Sequence, residues 1–209
     1  MPKLITRQEI INKHGYPGWI KGDKLSLYIS NYAATAHYLA DRIGRKNKTI
    51  CELCCGVGLT LSELAKRFEK TIGIDNDKKV IGYCKQNITS FKVSDKTEII
   101  SGDISDPELL KKIKSDIVIY DIPYWNIGLT ENTGLEKKNP KLKEIVNNIK
   151  KLITKDIIIC APPHYTYKNA KKDFGKCECE SIFIGSKHDR NYIYLGNLIK
   201  KQGTTKTFL

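Results

Sequence analysis

The sequence predicts an α/β protein whose mostly parallel, doubly wound sheet ends in a C-terminal antiparallel β-hairpin. Three observations predict it. Short β-branched runs alternate with helical patterns over roughly 110 residues from Lys48, the signature of parallel strands covered on both faces. Two more strand-like runs, joined by a short turn, follow near the end and break that alternation. At 209 residues, with 40% apolar and 28% charged side chains, the chain suits one sizeable domain with its own core.

In chain order, Thr6-Arg7-Gln8-Glu9 is a capping box that opens a short helix. His14 to Asp23, rich in Gly and Pro with Tyr16 and Trp19 embedded, reads as a loop. Ala36, Leu39, Ala40 and Ile43 recur at helical spacing and Gly44 closes them. The parallel strands are expected at Thr49 to Cys54, Thr71 to Ile74, Thr97 to Ile100, Ile117 to Tyr120 and Ile157 to Cys160. Helices are expected from Thr60, Asp77 and Pro107, and a fourth carries Leu142, Ile145, Val146, Ile149 and Leu152. The hairpin strands are Cys177 to Ile184 and Asn191 to Leu195, with Gly185 to Asp189 as the turn.

Composition narrows the function. The formal charge is +13, which points to a polyanionic partner, with nucleic acid first. All but five of the 36 cations are lysines spread along the chain, so a plain lysine bias accounts for the charge equally well. The longest apolar runs fall far short of the ~20 residues a membrane helix needs, and Met1 to Arg7 do not read as a secretory signal. The expectation is a cytoplasmic protein, or a nuclear one in a eukaryote. Seven cysteines, an odd number lying mostly in apolar runs, are expected to be reduced thiols. Cys51-Glu52-Leu53-Cys54 spells C-x-x-C inside a strand-like run without a second Cys or His pair, so no metal site is expected.

In open α/β sheets ligands bind beyond the carboxyl ends of the strands. The first strand ends in Glu52, Cys54, Gly56 and Gly58: glycines admit a ligand close to the backbone, and the acid favours a cationic ligand over a pyrophosphate. The second ends in Asp75, followed by Asn76, at the distance expected of an acid that accepts from both ribose hydroxyls; Asp77 is better explained as a helix N-cap. The third ends in Gly102, Asp103 and Ile104, an acceptor for an adenine amino group and an apolar face for its ring. Together these residues point to S-adenosylmethionine. The fourth ends in Asp121-Ile122-Pro123-Tyr124-Trp125, where enzymes that methylate exocyclic amines carry D/N/S-P-P-Y/F/W. The lone pair of such an amine is delocalised into its ring. The chemistry therefore needs acceptors for the amine protons, Asp121 Oδ and the Ile122 carbonyl, and an aromatic, Tyr124, to aim the nitrogen.

The stretches Ile20 to Asp23, Glu52 to Gly58, Thr71 to Asp77, Ile99 to Asp103, Asp116 to Tyr124, Cys177 to Glu180 and Tyr194 to Leu198 resemble, in order, the methyltransferase domain of trimethylguanosine synthase, the RNA cap guanine methyltransferase family. The resemblance implies a Rossmann-like class I methyltransferase domain over 47–209 and a helical extension over the active site at 1–46. It also implies S-adenosylmethionine-dependent transfer to the exocyclic N2 of guanosine in RNA, with Asp121, Ile122, Pro123 and Tyr124 as the catalytic motif. Lys21 and Lys187 fall where the family contacts cap phosphates, and Trp125 and His164 complete the expected substrate-binding set. There are departures. The family's Ser-Pro-Pro-Trp is here Asp121-Ile122-Pro123-Tyr124, and His164 stands where the family has an arginine after proline. The acceptor is thus open between a cap and an internal guanosine. An adenine amine in RNA or DNA is the enzymatic alternative, and a catalytically inactive RNA-binding module the non-enzymatic one.

Overall fold

The computed structural model describes residues 6–44, 48–121 and 140–209. The chain forms two compact units, 1–103 and 104–209.

In the first unit three helices precede the strands: α1 (Arg7–His14), α2 (Lys24–Tyr28) and α3 (Ala33–Ile43). The capping box of α1 closes in both directions, Glu9 N–H donating to Thr6 Oγ1 and Thr6 N–H to Glu9 Oε2. The sequence reading leaves the segment of α2 unassigned; Asp23 caps it by accepting from the Ser26 N–H at 2.9 Å. Strands β1 (Thr49–Leu53), β2 (Lys70–Asp75) and β3 (Thr97–Ser101) pair in parallel in the order β3-β2-β1. Helix α4 (Leu59–Ala65) follows β1 and α5 (Lys78–Ser90) follows β2. Asp77 caps α5 as expected. Thr60 does not open α4: the helix starts behind Gly58, and Thr60 is buried within it, its hydroxyl accepting from Asn31 Nδ2 at 2.6 Å. Apolar clusters among the described residues help hold the unit. One joins Cys55, Leu61 and Ala65 to Ile81, Cys84, Ile88 and Val93. Another joins Ile10, Ile11, Tyr16, Ile20 and Leu27 of the N-terminal segment to Val57 and Leu59.

The second unit holds α6 (Pro107–Lys112), β4 (Ile117–Asp121), α7 (Pro140–Leu152), β5 (Ile157–Ala161), α8 (Tyr167–Phe174), β6 (Glu178–Ile184), β7 (Lys187–Tyr194) and β8 (Gly203–Phe208). Its strands lie in the order β4-β5-β7-β6-β8; β4 and β5 are parallel, and β7 runs against both β5 and β6. Strand β5 is buried throughout, which is why it reads as an unbroken apolar run. The expected α/β class, mostly parallel with a closing hairpin, is therefore the observed one. Three details differ. The hairpin turn is only Gly185-Ser186, because β7 begins at Lys187, four residues before the apolar stretch announces it. Helix α8 was not expected, since it buries only Ala170 among lysines. Strand β8 adds a parallel edge to β6; its Thr-rich sequence carries no apolar signal, and Thr207 Oγ1 ties it down by donating to the buried Glu180 at 2.7 Å.

All seven cysteines are free, and Cys54 alone is not buried. No helix among the described residues is long and apolar enough to cross a membrane.

Candidate active site

The parallel register of the first unit sets Leu53 beside Ile74 and Asp75 beside Ser101. The ends of β1, β2 and β3 thus share one sheet edge. Backbone bonds join the segments that leave it: Cys55 N–H donates to the Ile74 carbonyl at 3.0 Å and Gly102 N–H to the Asp75 carbonyl at 2.9 Å. The Asp75 carboxylate is half-buried; Oδ2 accepts from Gly56 N–H at 2.9 Å and Oδ1 from Asp77 N–H at 3.1 Å. An ionised carboxylate has about four acceptor positions, so two are left for a ligand diol.

The two glycines of the loop have opposite environments. A β-carbon on Gly56 would meet nothing within 4 Å, leaving bare backbone for a ligand to approach. Gly58 has φ +80°, and a β-carbon there would lie 2.6 Å from Cys84 Sγ. One side of the loop is open, and the other is packed on α5. Cys54 holds φ +62°, a left-handed conformation uncommon for a side-chain-bearing residue and kept only where the surroundings impose it. Glu52 is buried on β1, while Asn76 and Asp103 are exposed beyond their strands. Hydrogen bonding with Cys84, together with burial, holds the Cys55 thiol well above the ordinary thiol range. Of the expected cofactor residues, Glu52, Cys54, Gly56, Gly58, Asp75, Asn76 and Asp103 therefore gather in this unit; Ile104, buried, opens the second unit. Bare backbone at Gly56 and spare acceptors on Asp75 suit a ribose-bearing donor.

Sequence reasoning missed Asn87. It is fully buried on α5, accepts from Lys21 N–H at 2.8 Å, and donates to the carbonyls of Lys21 and Val57, each at 2.9 Å. The amide thereby ties the N-terminal segment to the glycine loop. A polar residue beside Cys84 and Ile88 on an otherwise apolar helix face was the available signal.

In the second unit Asp121 is the last residue of β4 and lies beside Cys160, which lies beside Tyr192. Cross-strand neighbours share a face. Burial pushes the ionisation of Tyr192 well up, with Asp121 among its negative neighbours. After β5, the carbonyls of Pro163 and Tyr165 accept from Asn191 Nδ2 at 3.0 and 3.1 Å. Between them His164 is half-buried, and its Nε2 has no hydrogen-bond partner among the described residues. Ile122, Pro123, Tyr124 and Trp125 lie outside the described residues. Lys187 is exposed as the first residue of β7, and Lys21 is exposed in the first unit. No group of His, Cys, Asp or Glu among the described residues could hold a metal ion.

This architecture is that of the Rossmann-like methyltransferases. A methyltransferase structure from Porphyromonas gingivalis W83 superposes with a TM-score of 0.70 at 15% identity, over 87% of this chain and 44% of that one. Magnesium protoporphyrin IX methyltransferase from Synechocystis PCC 6803, solved with bound S-adenosylmethionine, gives 0.59 at 15% identity, over 90% and 89%. The sequence model of the RNA cap guanine-N2 methyltransferase family matches residues 47–174, and the chain belongs to that family. The family is one of S-adenosylmethionine-dependent methyltransferases. Among curated relatives, the rRNA N(6)-adenosine-methyltransferase metl-5 of Caenorhabditis elegans is 27% identical over 46% of this chain and 45% of that protein. The tRNA (guanine(10)-N2)-dimethyltransferase of Methanothermobacter thermautotrophicus is 28% identical over 53% of this chain and 32% of that protein. The chain thus spans less than half the length of these relatives.

Proposed function

We propose that the protein methylates the exocyclic N2 of guanosine in RNA. The observation that carries the reading is Asp121: a carboxylate closing β4, one strand away from the Pro162-Pro163-His164 turn, whose buried imidazole nitrogen has no hydrogen-bond partner among the described residues. When bound, S-adenosylmethionine supplies a methyl group made electrophilic by its sulfonium. Asp75 holds the ribose hydroxyls, each charge-assisted bond contributing about 1.5–3 kcal/mol, and the backbone at Gly56 lets the donor approach. Asp121 Oδ and the Ile122 carbonyl accept the amine protons, orienting a nitrogen that is a poor nucleophile in plane. Tyr124 stacks on the base, worth about 1–3 kcal/mol. Residues 1–46 form the extension over the active site, and Lys21, Lys187, Trp125 and His164 contact the RNA.

The test is nucleoside mass analysis after incubating the protein with total RNA and labelled S-adenosylmethionine, with N2-methylguanosine expected. Asp121→Ala abolishes transfer with cofactor affinity kept within a few fold, whereas Asp75→Ala loses the cofactor. Equal loss of affinity in both variants would contradict these roles. A second reading, transfer to the N6 of adenosine, is favoured by the aspartate at 121 in place of the family's serine, and N6-methyladenosine as the product would establish it.

A further inference from the structure

The hairpin end of the second unit carries a tier of stacked rings that the active-site reading does not use. Phe183 on β6 stacks on His188 of β7 on one side, centroids 4.8 Å apart and planes at 21°. On its other side it stacks on Phe208 of β8, 4.7 Å away at 20°. Phe208 is 67% exposed, so its outer ring face is open to solvent. An exposed large ring at the end of an ordered stack differs from scattered surface hydrophobics.

The topology puts this stack on the edge that matters. Because β6 is antiparallel to β7 and β7 to β5, the carboxyl ends of β4, β5, β6 and β8 and the start of β7 share one edge of the unit's sheet. Asp121 and the His164 turn lie along that same edge. At about 4.8 Å between strands, β6 and β8 are roughly 14 and 19 Å from β4. The stack is also wired to the His164 turn. Asn191 Nδ2 donates to the carbonyls of Pro163 and Tyr165, so its Oδ1 is the acceptor for His188 Nε2–H at 2.9 Å.

The charge around the stack selects its partner. Lys206 lies two residues before Phe208 on the same face of β8, and Lys187 opens β7; both are exposed and make no ion pair among the described residues. The nearby carboxylate of Asp189 is engaged by Arg190 Nε at 2.6 Å. A second copy of a +13 chain would be repelled from such a surface, whereas a strand that alternates flat bases with phosphates matches it. We infer that the His188–Phe183–Phe208 stack, flanked by Lys187 and Lys206, binds single-stranded RNA flanking the acceptor nucleotide, with a base stacked on Phe208. The inference rests on the RNA reading above and deepens it: the enzyme needs an unpaired nucleotide to one side of its target. These residues lie beyond the 47–174 stretch matched by the family.

The test is fluorescence anisotropy with a labelled single-stranded oligoadenylate, alongside calorimetry with S-adenosylmethionine. Phe208→Ala weakens RNA binding about 5- to 100-fold, and Phe208→Trp, which keeps a stacking face, restores it to within about 2-fold of the parent. Replacing Lys187 and Lys206 by Gln lowers the slope of log affinity against log salt by about 1.4. Cofactor affinity stays unchanged in all three, and the unfolding midpoint stays unchanged in Phe208→Trp and in the lysine variant. Unchanged RNA affinity in Phe208→Ala, while the parent protein binds RNA, overturns this inference alone; so does a shift from dimer to monomer in light scattering without a change in RNA affinity. A parent protein that binds the cofactor but no RNA overturns the RNA reading itself.

Discussion

Replacing Asn87 by Ala removes three hydrogen bonds of 2.8 to 2.9 Å from a fully buried position. Each such bond contributes about 1 kcal/mol net, and a partner left buried without water costs about 1–3 kcal/mol. The Lys21 backbone lies in an exposed residue and can be rehydrated, whereas Val57 is 2% exposed and its carbonyl cannot. The expected loss is therefore about 2–4 kcal/mol, well above the ~0.5 kcal/mol of an ordinary surface substitution. Urea unfolding checks it, the midpoint falling at constant slope. Asn87→Asp is a sharper version: it keeps the shape and the acceptor for Lys21 N–H but turns a carboxylate oxygen toward two carbonyls, and should lose at least as much. Trypsin should also cut faster after Lys21 in both variants. A loss below about 1 kcal/mol, or an Asp variant as stable as the parent, would refute the idea that this amide ties the N-terminal segment to the glycine loop.

Gly58→Ala should cost about 2–5 kcal/mol, combining the left-handed backbone with a contact 2.6 Å from Cys84 Sγ. In a Cys84→Ala background the steric share disappears, and strictly additive losses in denaturation would show that the contact is not the cause. Iodoacetamide near pH 8 should label Cys54 well before the six buried thiols, among which Cys179 is pushed up to about 12 and Cys51 is also raised, chiefly by burial; S-adenosylmethionine should slow that labelling, as read by peptide mass mapping. Asp23 is held down to about 2 by the Ser26 N–H, with help from Lys79. A depressed acid stabilises above its unfolded pKa near 4 and loses that contribution as pH falls toward 2. The stability difference between the parent protein and Asp23→Ala should shrink over that window, and a difference independent of pH would count against it.

Strands β1, β2, β4 and β5 were legible because each is buried enough to read as an apolar run, the half-exposed β3 through its Ile99-Ile100 pair, and Asp77 because a cap is a local device. The glycine loop and Asp75 were legible because strand ends are where an α/β sheet places its ligand groups, and the Gly56 to Asp75 bond joins two of those ends directly. The missed parts share a cause. Strand β8 and the first half of β7 are held by pairing with β6 rather than by their own hydrophobicity, and α8 buries a single small side chain. Asn87 and Asn191 act across 66 and about 28 residues of chain, and no short window of sequence reveals such reach.

The apolar cluster that unites Ile10, Ile11, Tyr16, Ile20 and Leu27 with Val57 and Leu59 sets a limit on how small a working version of this enzyme can be. A truncation starting at the first strand would strip the cover from Val57 of the loop and Leu59 at the start of α4, both nearly inaccessible in the intact fold. Such a fragment would retain every cofactor contact proposed above yet tend to clump, so its inactivity would say nothing about whether the removed helices touch RNA.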